Sequence, residues 1–333
     1  MISRRAGQFY PKADSSLGDA ELRSLAGASQ APARELLISA LGSRGFHPRD
    51  MVPLDSGTFN SVWRFRSGSG DLVVKASHTS DTNPLAVETA VSDVLDRHGV
   101  SHPRIHILDD SRSVLPFAFV VMDFVDGRSM RSFDSDEEAV QLAIPALASA
   151  FRSIHTIPTN GYGLAELRDA QLTGSHASWN GFLSTRVSEH LETLRAHMLI
   201  TDTEAREFIA SLDVIPPISR PRMLHGDCGP HNVMVSPAGT LSLIDWEDVT
   251  FGDPDFEIAM WATFNPPQRW NAMFGSYYGS GSATSSLFWP YFARITLAKV
   301  VVRTRLGYPD APGRPSRRDR IQQSLDGLRS MSL

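Results

Sequence analysis

The 333-residue sequence predicts an α+β chain in two lobes, a small antiparallel sheet followed by a larger, mostly helical body. Three observations carry that expectation. Residues 51–76 alternate apolar and polar positions between Gly-containing turns, as a strand meander does. A single strongly apolar run at 117–124 stands apart as one connecting strand. Beyond Asp126-Gly127 the apolar residues recur at helical spacing.

In chain order, residues 1–45 carry helical spacing in part, with Gly45 placed as a C-cap. From Met51 the pattern reads strand, turn, strand, turn, strand. A helix is expected over Leu85 to Arg97, then an extended stretch over His102 to Ile107 and the strand at 117–124. Helices are expected at Glu137 to His155, Trp179 to His197 and Thr203 to Leu212. Two short strands follow, Asn232 to Val235 and Leu241 to Ile244. The tail past Glu257 is apolar and helical, with a loop over 275–286, and Arg314 to Arg320 reads as a solvated helix start. The expected division is 1–122 for an N-terminal extension and a small β-rich lobe, 123–127 for a connecting linker, and 128–333 for a helical lobe.

Composition narrows the function classes. With 41% hydrophobic residues the chain can bury a large core, and a net charge of −5 gives no case for a nucleic-acid partner. A lone cysteine, Cys228, allows no internal disulfide, and it reads as a small buried hydrophobe. The basic start has no apolar run behind it, and no stretch approaches the roughly 20 apolar residues of a membrane helix, so a cytoplasmic protein without a membrane partner is expected.

The chemistry concentrates in His225-Gly226-Asp227-Cys228-Gly229-Pro230-His231-Asn232, followed by Ile244-Asp245-Trp246-Glu247. Phosphoryl transfer asks a protein for a carboxylate beside the attacking hydroxyl, oxygen ligands for metal ions, and positive charge on the phosphates. Asp227 and Asn232 stand five positions apart, and Asp245 lies 18 beyond Asp227 at the end of a short strand. Mg²⁺ prefers a few oxygen ligands plus phosphates and water, which suits one carboxamide and one carboxylate. Of the 32 Lys and Arg residues only Lys12, Lys75 and Lys299 are lysines, so Lys75 in the strand Leu72-Val73-Val74-Lys75 stands out. The next helix carries Glu88 as its partner.

These motifs, HGD-x4-N with IDW-x5-GDP (here IDWEDVTFGDP), resemble the aminoglycoside phosphotransferase family of kinase-fold enzymes, over roughly residues 50–265. The resemblance implies a protein-kinase-like fold and Mg²⁺ with ATP, GTP being the alternative donor. It implies that Asp227 orients or deprotonates an acceptor hydroxyl and that Asn232 and Asp245 hold the metal. His225 would brace the catalytic loop and Asp253 would support it from behind. Glu257 departs from the Asp that family members commonly carry. The turn Ser56-Gly57-Thr58-Phe59-Asn60-Ser61 takes the place of the phosphate-covering loop, with Ser56, Thr58, Asn60 and Ser61 as contacts. Asp123 and Val125 take the place of the adenine-binding linker.

Only seven residues separate Asp245 from Asp253, too few for a peptide-docking segment, so a small-molecule acceptor is expected. Past residue 259 there are ten basic residues and only three acids, Asp310, Asp319 and Asp326, which favours a weakly cationic antibiotic such as a nucleoside over an aminoglycoside. The alternatives are a metabolic kinase for a sugar or amino alcohol, and a nucleotide-binding protein without turnover. Trp179, Glu247 and Trp261 are the acceptor-site candidates.

Overall fold

The computed structural model describes residues 8–10, 14, 18–21, 33–54, 60–68, 70–77, 83–113, 115–279, 285–310 and 313–331. After helix α1 (Ala33–Ser43), strands β1 (Arg49–Pro53), β2 (Asn60–Ser67) and β3 (Gly70–Ser77) run antiparallel. Helix α2 (Asn83–His98) then leads to β4 (Ile105–Asp109) and β5 (Phe119–Asp123), completing a sheet of order β1-β2-β3-β5-β4. Gly45, at φ +84°, ends α1 as expected, with Phe46 N donating to Leu41 O at 2.9 Å.

The two faces of this sheet follow from the period of two along a strand. Leu72, Val74 and Ala76 pack with Leu37 and Leu41 of α1. Val73 faces the other way, toward Leu85 of α2. Lys75 shares the Val73 face, so its ammonium is carried under α2, where Glu88 is waiting.

Below the sheet come β6 (Arg128–Ser129), α3 (Glu137–Ile154), the hairpin β7 (Tyr162–Arg168) and β8 (Gln171–His176), α4 (Trp179–Leu183), α5 (Val187–Ala196) and α6 (Asp202–Asp213). Then follow β9 (Arg222–Leu224), β10 (Val233–Val235), β11 (Leu241–Leu243), β12 (Thr250–Gly252), α7 (Pro254–Ala262), α8 (Trp270–Tyr278), α9 (Phe288–Arg305) and α10 (Arg317–Ser330). One large core joins them, including Phe151, Trp179, Trp246, Phe256 and Tyr291. Among the described residues no helix is long and apolar enough to cross a membrane.

Three departures from the sequence reading have physical causes. The stretch between α3 and α4 holds the β7–β8 hairpin, whose turn is Asp169-Ala170 with both residues at positive φ. That turn conformation is normally announced by Asn-Gly or Asp-Gly, which this chain lacks. The helix expected over Trp179 to His197 breaks at Ser184–Arg186. There the buried Arg294 guanidinium donates to Leu183 O (2.6 Å) and Thr185 O (2.8 Å), taking carbonyls a continuous helix would have used. The loop expected over 275–286 starts later, because α8 runs to Tyr278.

Glu204 is one of the carboxylates that tie the stability of the fold to pH. It completes the capping box of α6 with Thr201 and accepts a bond from Arg318 of α10. The Arg318 guanidinium, with the Thr201 N–H and hydroxyl, holds the Glu204 carboxyl down from 4.5 to about 2. A depressed folded-state value gives stability that is present above 4.5 and lost as pH falls toward 2. Glu204→Gln is therefore expected to lower stability by on the order of 1 kcal/mol near neutral pH, allowing for solvent screening. The deficit should shrink toward pH 2 in urea titrations.

Candidate active site

The two site-bearing loops hang from one sheet. Strands β9 and β12 pair as Leu224↔Thr250, Met223↔Phe251 and Arg222↔Gly252, so the chain leaves that sheet just before His225 and returns just after Val249. Between them the β10–β11 hairpin pairs Val233 with Leu243, which sets Asn232 beside Ile244-Asp245. Ile244 N donates to Asn232 O at 3.0 Å.

The loop from His225 to Asn232 is fixed by its backbone. Gly226 lies at φ +83°, and a β-carbon there would collide with the Asp248 carbonyl, so only glycine fits. His225 Nε2 lies 2.9 Å from Ile244 O, its Nδ1 accepts from Asp227 N at 3.3 Å, and its ring packs on Trp246 at 4.5 Å. Asn232 Nδ2 donates to Asp227 O at 2.8 Å, which turns its amide oxygen the other way. The side chain of Asp227 is almost covered: Tyr10 Oη lies 3.5 Å from Oδ1 and His231 Nε2 3.5 Å from Oδ2. Cys228 is buried with its thiol pushed up by burial, and Sγ donates to Glu257 O, which makes it a packing group.

Support from behind comes from Glu257 and not from Asp253. Asp253 caps α7 through Asp255 N and accepts from Tyr291 Oη, without reaching the loop. Glu257, fully buried, accepts from His225 N and from Gly226 N (3.2 Å), with His155 Nε2 at 3.7 Å. Burial pushes this carboxyl up, but the two histidines outweigh it and hold it below its usual range. Its longer side chain thus does the work of the Asp it replaces. Glu257→Ala orphans two buried N–H donors and should cost about 3 kcal/mol in urea unfolding, with Glu257→Gln costing less because its amide oxygen still accepts.

Across from this loop, one ammonium meets three carboxylates. Lys75 Nζ bonds Glu88 Oε2 (2.9 Å), Glu247 Oε2 (3.0 Å) and Asp245 Oδ1. Burial alone would push the Lys75 ammonium down. The charges of Asp245, Glu247 and Glu88 reverse that and hold it well above its ordinary value. Burial and the neighbouring carboxylates raise Glu88 against the pull of Lys75. Glu88 also accepts from Trp246 N at 3.2 Å, so α2 of the small lobe grips the Asp245 loop directly. Asp245 itself sits in the left-handed region (φ +67°), a conformation that costs a non-glycine residue about 1–3 kcal/mol and collects at functional sites.

The structure therefore clusters Lys75, Glu88 and Asp245, bonds Asn232 to the backbone of Asp227, and sets Asn232 beside the Ile244-Asp245 end of the hairpin. Asn60 joins the first group by donating to Glu247 Oε2 at 2.7 Å. Ser61 is buried one residue along β2, opposite Ala76. Ser56 and Thr58 lie outside the described residues. Asp123 and Val125 lie farther off: in the β3–β5 register Lys75 faces Val120 and Leu72 faces Asp123, about 10 Å along the strand. Asp123 also meets His106 Nε2 at 2.6 Å.

Of the acceptor-site candidates, Trp179 and Trp261 are core residues, each 1% exposed. Trp179 is locked by Tyr291 Oη and the ring of Phe256. Glu247 belongs to the lysine cluster, a place signalled only by an acid two positions past Asp245. Part of the basic excess of the tail is paired internally: Arg269 with Asp134 and Glu137, Arg318 with Glu204, Arg329 with Glu207, Arg317 with Asp310.

Comparison with known proteins places this arrangement. The model of a family described as phosphotransferase enzymes matches residues 50–288. A mouse (Mus musculus) protein, acyl-CoA dehydrogenase family member 10, is 23% identical over 235 residues. That match covers 67% of this chain, and the chain spans about a fifth (21%) of that relative. Among solved structures, a thermostable mutant of aminoglycoside phosphotransferase APH(4)-Ia in its apo form superposes with TM-score 0.65 at 17% identity, covering 89% of this chain and 97% of that one. A putative fructosamine-3-kinase from Thermobifida fusca gives TM-score 0.59 at 17% identity over 92% of this chain and 99% of that chain. The likeness of fold is kinase-like.

Proposed function

The chain belongs to the phosphotransferase enzyme family, and we propose that it is a small-molecule phosphotransferase that moves the γ-phosphoryl group of ATP to a hydroxyl, with Asp227 receiving the proton. The observation that carries this reading is the meeting of Lys75, Glu88, Asp245 and Glu247 at one end of the hairpin whose other chain enters from Asp227 and Asn232.

The residues fit Mg²⁺. Glu88, Asp245 and Glu247 place one oxygen each within 4.8 Å of one another, around a single ammonium. Three carboxylates against one cation form an oxygen-only donor set with excess negative charge, which suits a hard divalent ion. Asp245 and the amide oxygen of Asn232 would hold it, and the ion would neutralise charge on the phosphates when bound.

The chain's own groups then divide the work. Lys75 offers a compact charge to the phosphates, already ionised and already positioned by Glu88. Asp227 accepts the hydrogen bond of the acceptor hydroxyl and takes its proton as the acceptor oxygen bonds to phosphorus and the bridging oxygen departs with ADP. Asp123 and Val125 would meet the adenine edge through their backbone, and Asn60 and Ser61 would contact the phosphates. The small lobe to residue 122, the linker 123–127 and the remainder would act as the two jaws and their hinge.

For the acceptor, an antibiotic is the first class to test, since similar folds include an aminoglycoside phosphotransferase solved with hygromycin B. The likeness to a putative fructosamine-3-kinase supports a sugar-derived metabolite as the second. Mass spectrometry after incubation with Mg²⁺ and ATP, over aminoglycoside, macrolide, nucleoside and sugar-amine panels, separates them. A phosphorylated product that Asp227→Asn fails to make supports the reading. Nucleotide binding without any product or hydrolysis would favour a non-catalytic nucleotide-binding role.

A further inference from the structure

We propose that Tyr10 stands in the acceptor hydroxyl's place at Asp227 and keeps water off that carboxylate until an acceptor displaces it, an inference that rests on the reading of Asp227 above. Tyr10 Oη donates to Asp227 Oδ1 at 3.5 Å, as an acceptor hydroxyl would have to do. Asp227 is 4% exposed and Tyr10 8%, so the phenol closes the approach to the carboxylate on that side. His231 Nε2 flanks the other oxygen. Burial, together with the charges of Asp227 and Asp248, pushes the phenol up, so it stays a neutral O–H donor.

The seat of Tyr10 is built elsewhere and does not depend on Asp227. Asp14, 2% exposed, accepts from Phe9 N (2.5 Å) and Tyr10 N (2.9 Å) and meets His190 Nε2 at 2.6 Å. The Phe9 ring stacks on Phe182 at 4.8 Å, and the buried Arg294 guanidinium lies over it at 3.4 Å. These anchors stand on α4, α5 and α9 of the large lobe. By contrast the 3.5 Å bond to Asp227 is long and weak. The tether is strong and the contact with the carboxylate is weak, which suits a group that an acceptor hydroxyl must displace.

Without the guard, water takes the acceptor's part. Its oxygen bonds to the γ-phosphorus, its proton passes to Asp227, and the bond from phosphorus to the β,γ-bridging oxygen breaks. ADP and inorganic phosphate leave, and Asp227 returns the proton to solvent. Excluding water suppresses this side reaction.

The test is hydrolysis of γ-labelled ATP with Mg²⁺ and no acceptor, on the full chain. Tyr10→Ala is expected to raise phosphate release at least about tenfold, a fraction of the 10²–10⁴ a positioned base supplies. Nucleotide affinity by calorimetry should stay within about twofold, since the bonds of Tyr10 run to Asp14 and Asp227. Tyr10→Phe, which keeps the ring seated, should give a smaller rise and carries the test if Tyr10→Ala fails to fold. Adding Asp227→Asn to Tyr10→Ala should erase the gain. If both Tyr10 variants release phosphate no faster than wild type while Asp227→Asn lowers the basal rate, Tyr10 is only packing and the proposal is overturned. If Asp227→Asn leaves hydrolysis unchanged in either background, the reading of Asp227 falls and the guard with it.

Discussion

Asp227→Asn is expected to lower phosphoryl transfer by about 10²–10⁴-fold while leaving nucleotide affinity within a few-fold of wild type. The substitution keeps the shape of the side chain, so the bonds that set the loop remain. Asp227 O still accepts from Asn232 Nδ2, and Asp227 N still donates to His225 Nδ1. What disappears is the capacity to take a proton and to favour an incoming hydroxyl by charge. Initial-rate kinetics with any acceptor found by mass spectrometry, beside a calorimetric titration with Mg·ATP, reads both quantities. Transfer at the wild-type rate would move the base elsewhere, and His231, 3.5 Å from Asp227 Oδ2, would be the first residue to examine.

Asp245→Ala should act on the other half of the reaction. Losing one charge-assisted ligand is worth about 1.5–3 kcal/mol, so the Kd for Mg·ATP is expected to rise about 10- to 100-fold. The sign should change without metal. In the presence of a chelator Asp245 contributes only negative charge beside an anionic nucleotide, and its removal leaves Lys75 with Glu88 and Glu247 as partners. Metal-free ATP should therefore bind the variant at least as tightly as wild type. Titrations with and without Mg²⁺ check the pair of results. Equal weakening in both conditions would mean that Asp245 supports the loop and not a cation.

These two residues were legible because their chemistry is written in short local strings. The five-residue step from Asp227 to Asn232 and the strand ending at Asp245 need no tertiary information, and Lys75 stands out in a chain that otherwise uses arginine. The period of two along β3 put Lys75 on the face of α2, where Glu88 meets it. The same reading could not reach the bond from Asn60 to Glu247, since the partners are 187 positions apart. Nearness to the motifs and aromatic character make Trp179 and Trp261 acceptor-pocket candidates, whereas large aromatics bury 150–250 Å² and most often fill cores. Support for the catalytic loop was assigned to Asp253 by resemblance, but reach decided it: Glu257, one helical turn further on and one methylene longer than the expected Asp, gets to two backbone N–H groups. The Arg294 break between α4 and α5 rests on contacts more than a hundred positions apart, which no window of sequence displays; the Asp169-Ala170 hairpin is local, but its turn lacks the Asn-Gly or Asp-Gly pair that announces one.

The pairing of β9 with β12 has a consequence for how the site tolerates change. Both loops are referenced to one sheet, and the β10–β11 hairpin between them ends in an exposed tip at 237–240 that takes no part in the cluster. The 18-residue interval from Asp227 to Asp245 is thus a property of the tip and not a dimension of the chemistry. Residues added there would lengthen the interval without moving either carboxylate, because the strand register below absorbs none of the change. A ruler laid along the sequence measures the wrong distance; the gauge of this site is two neighbouring strands wide.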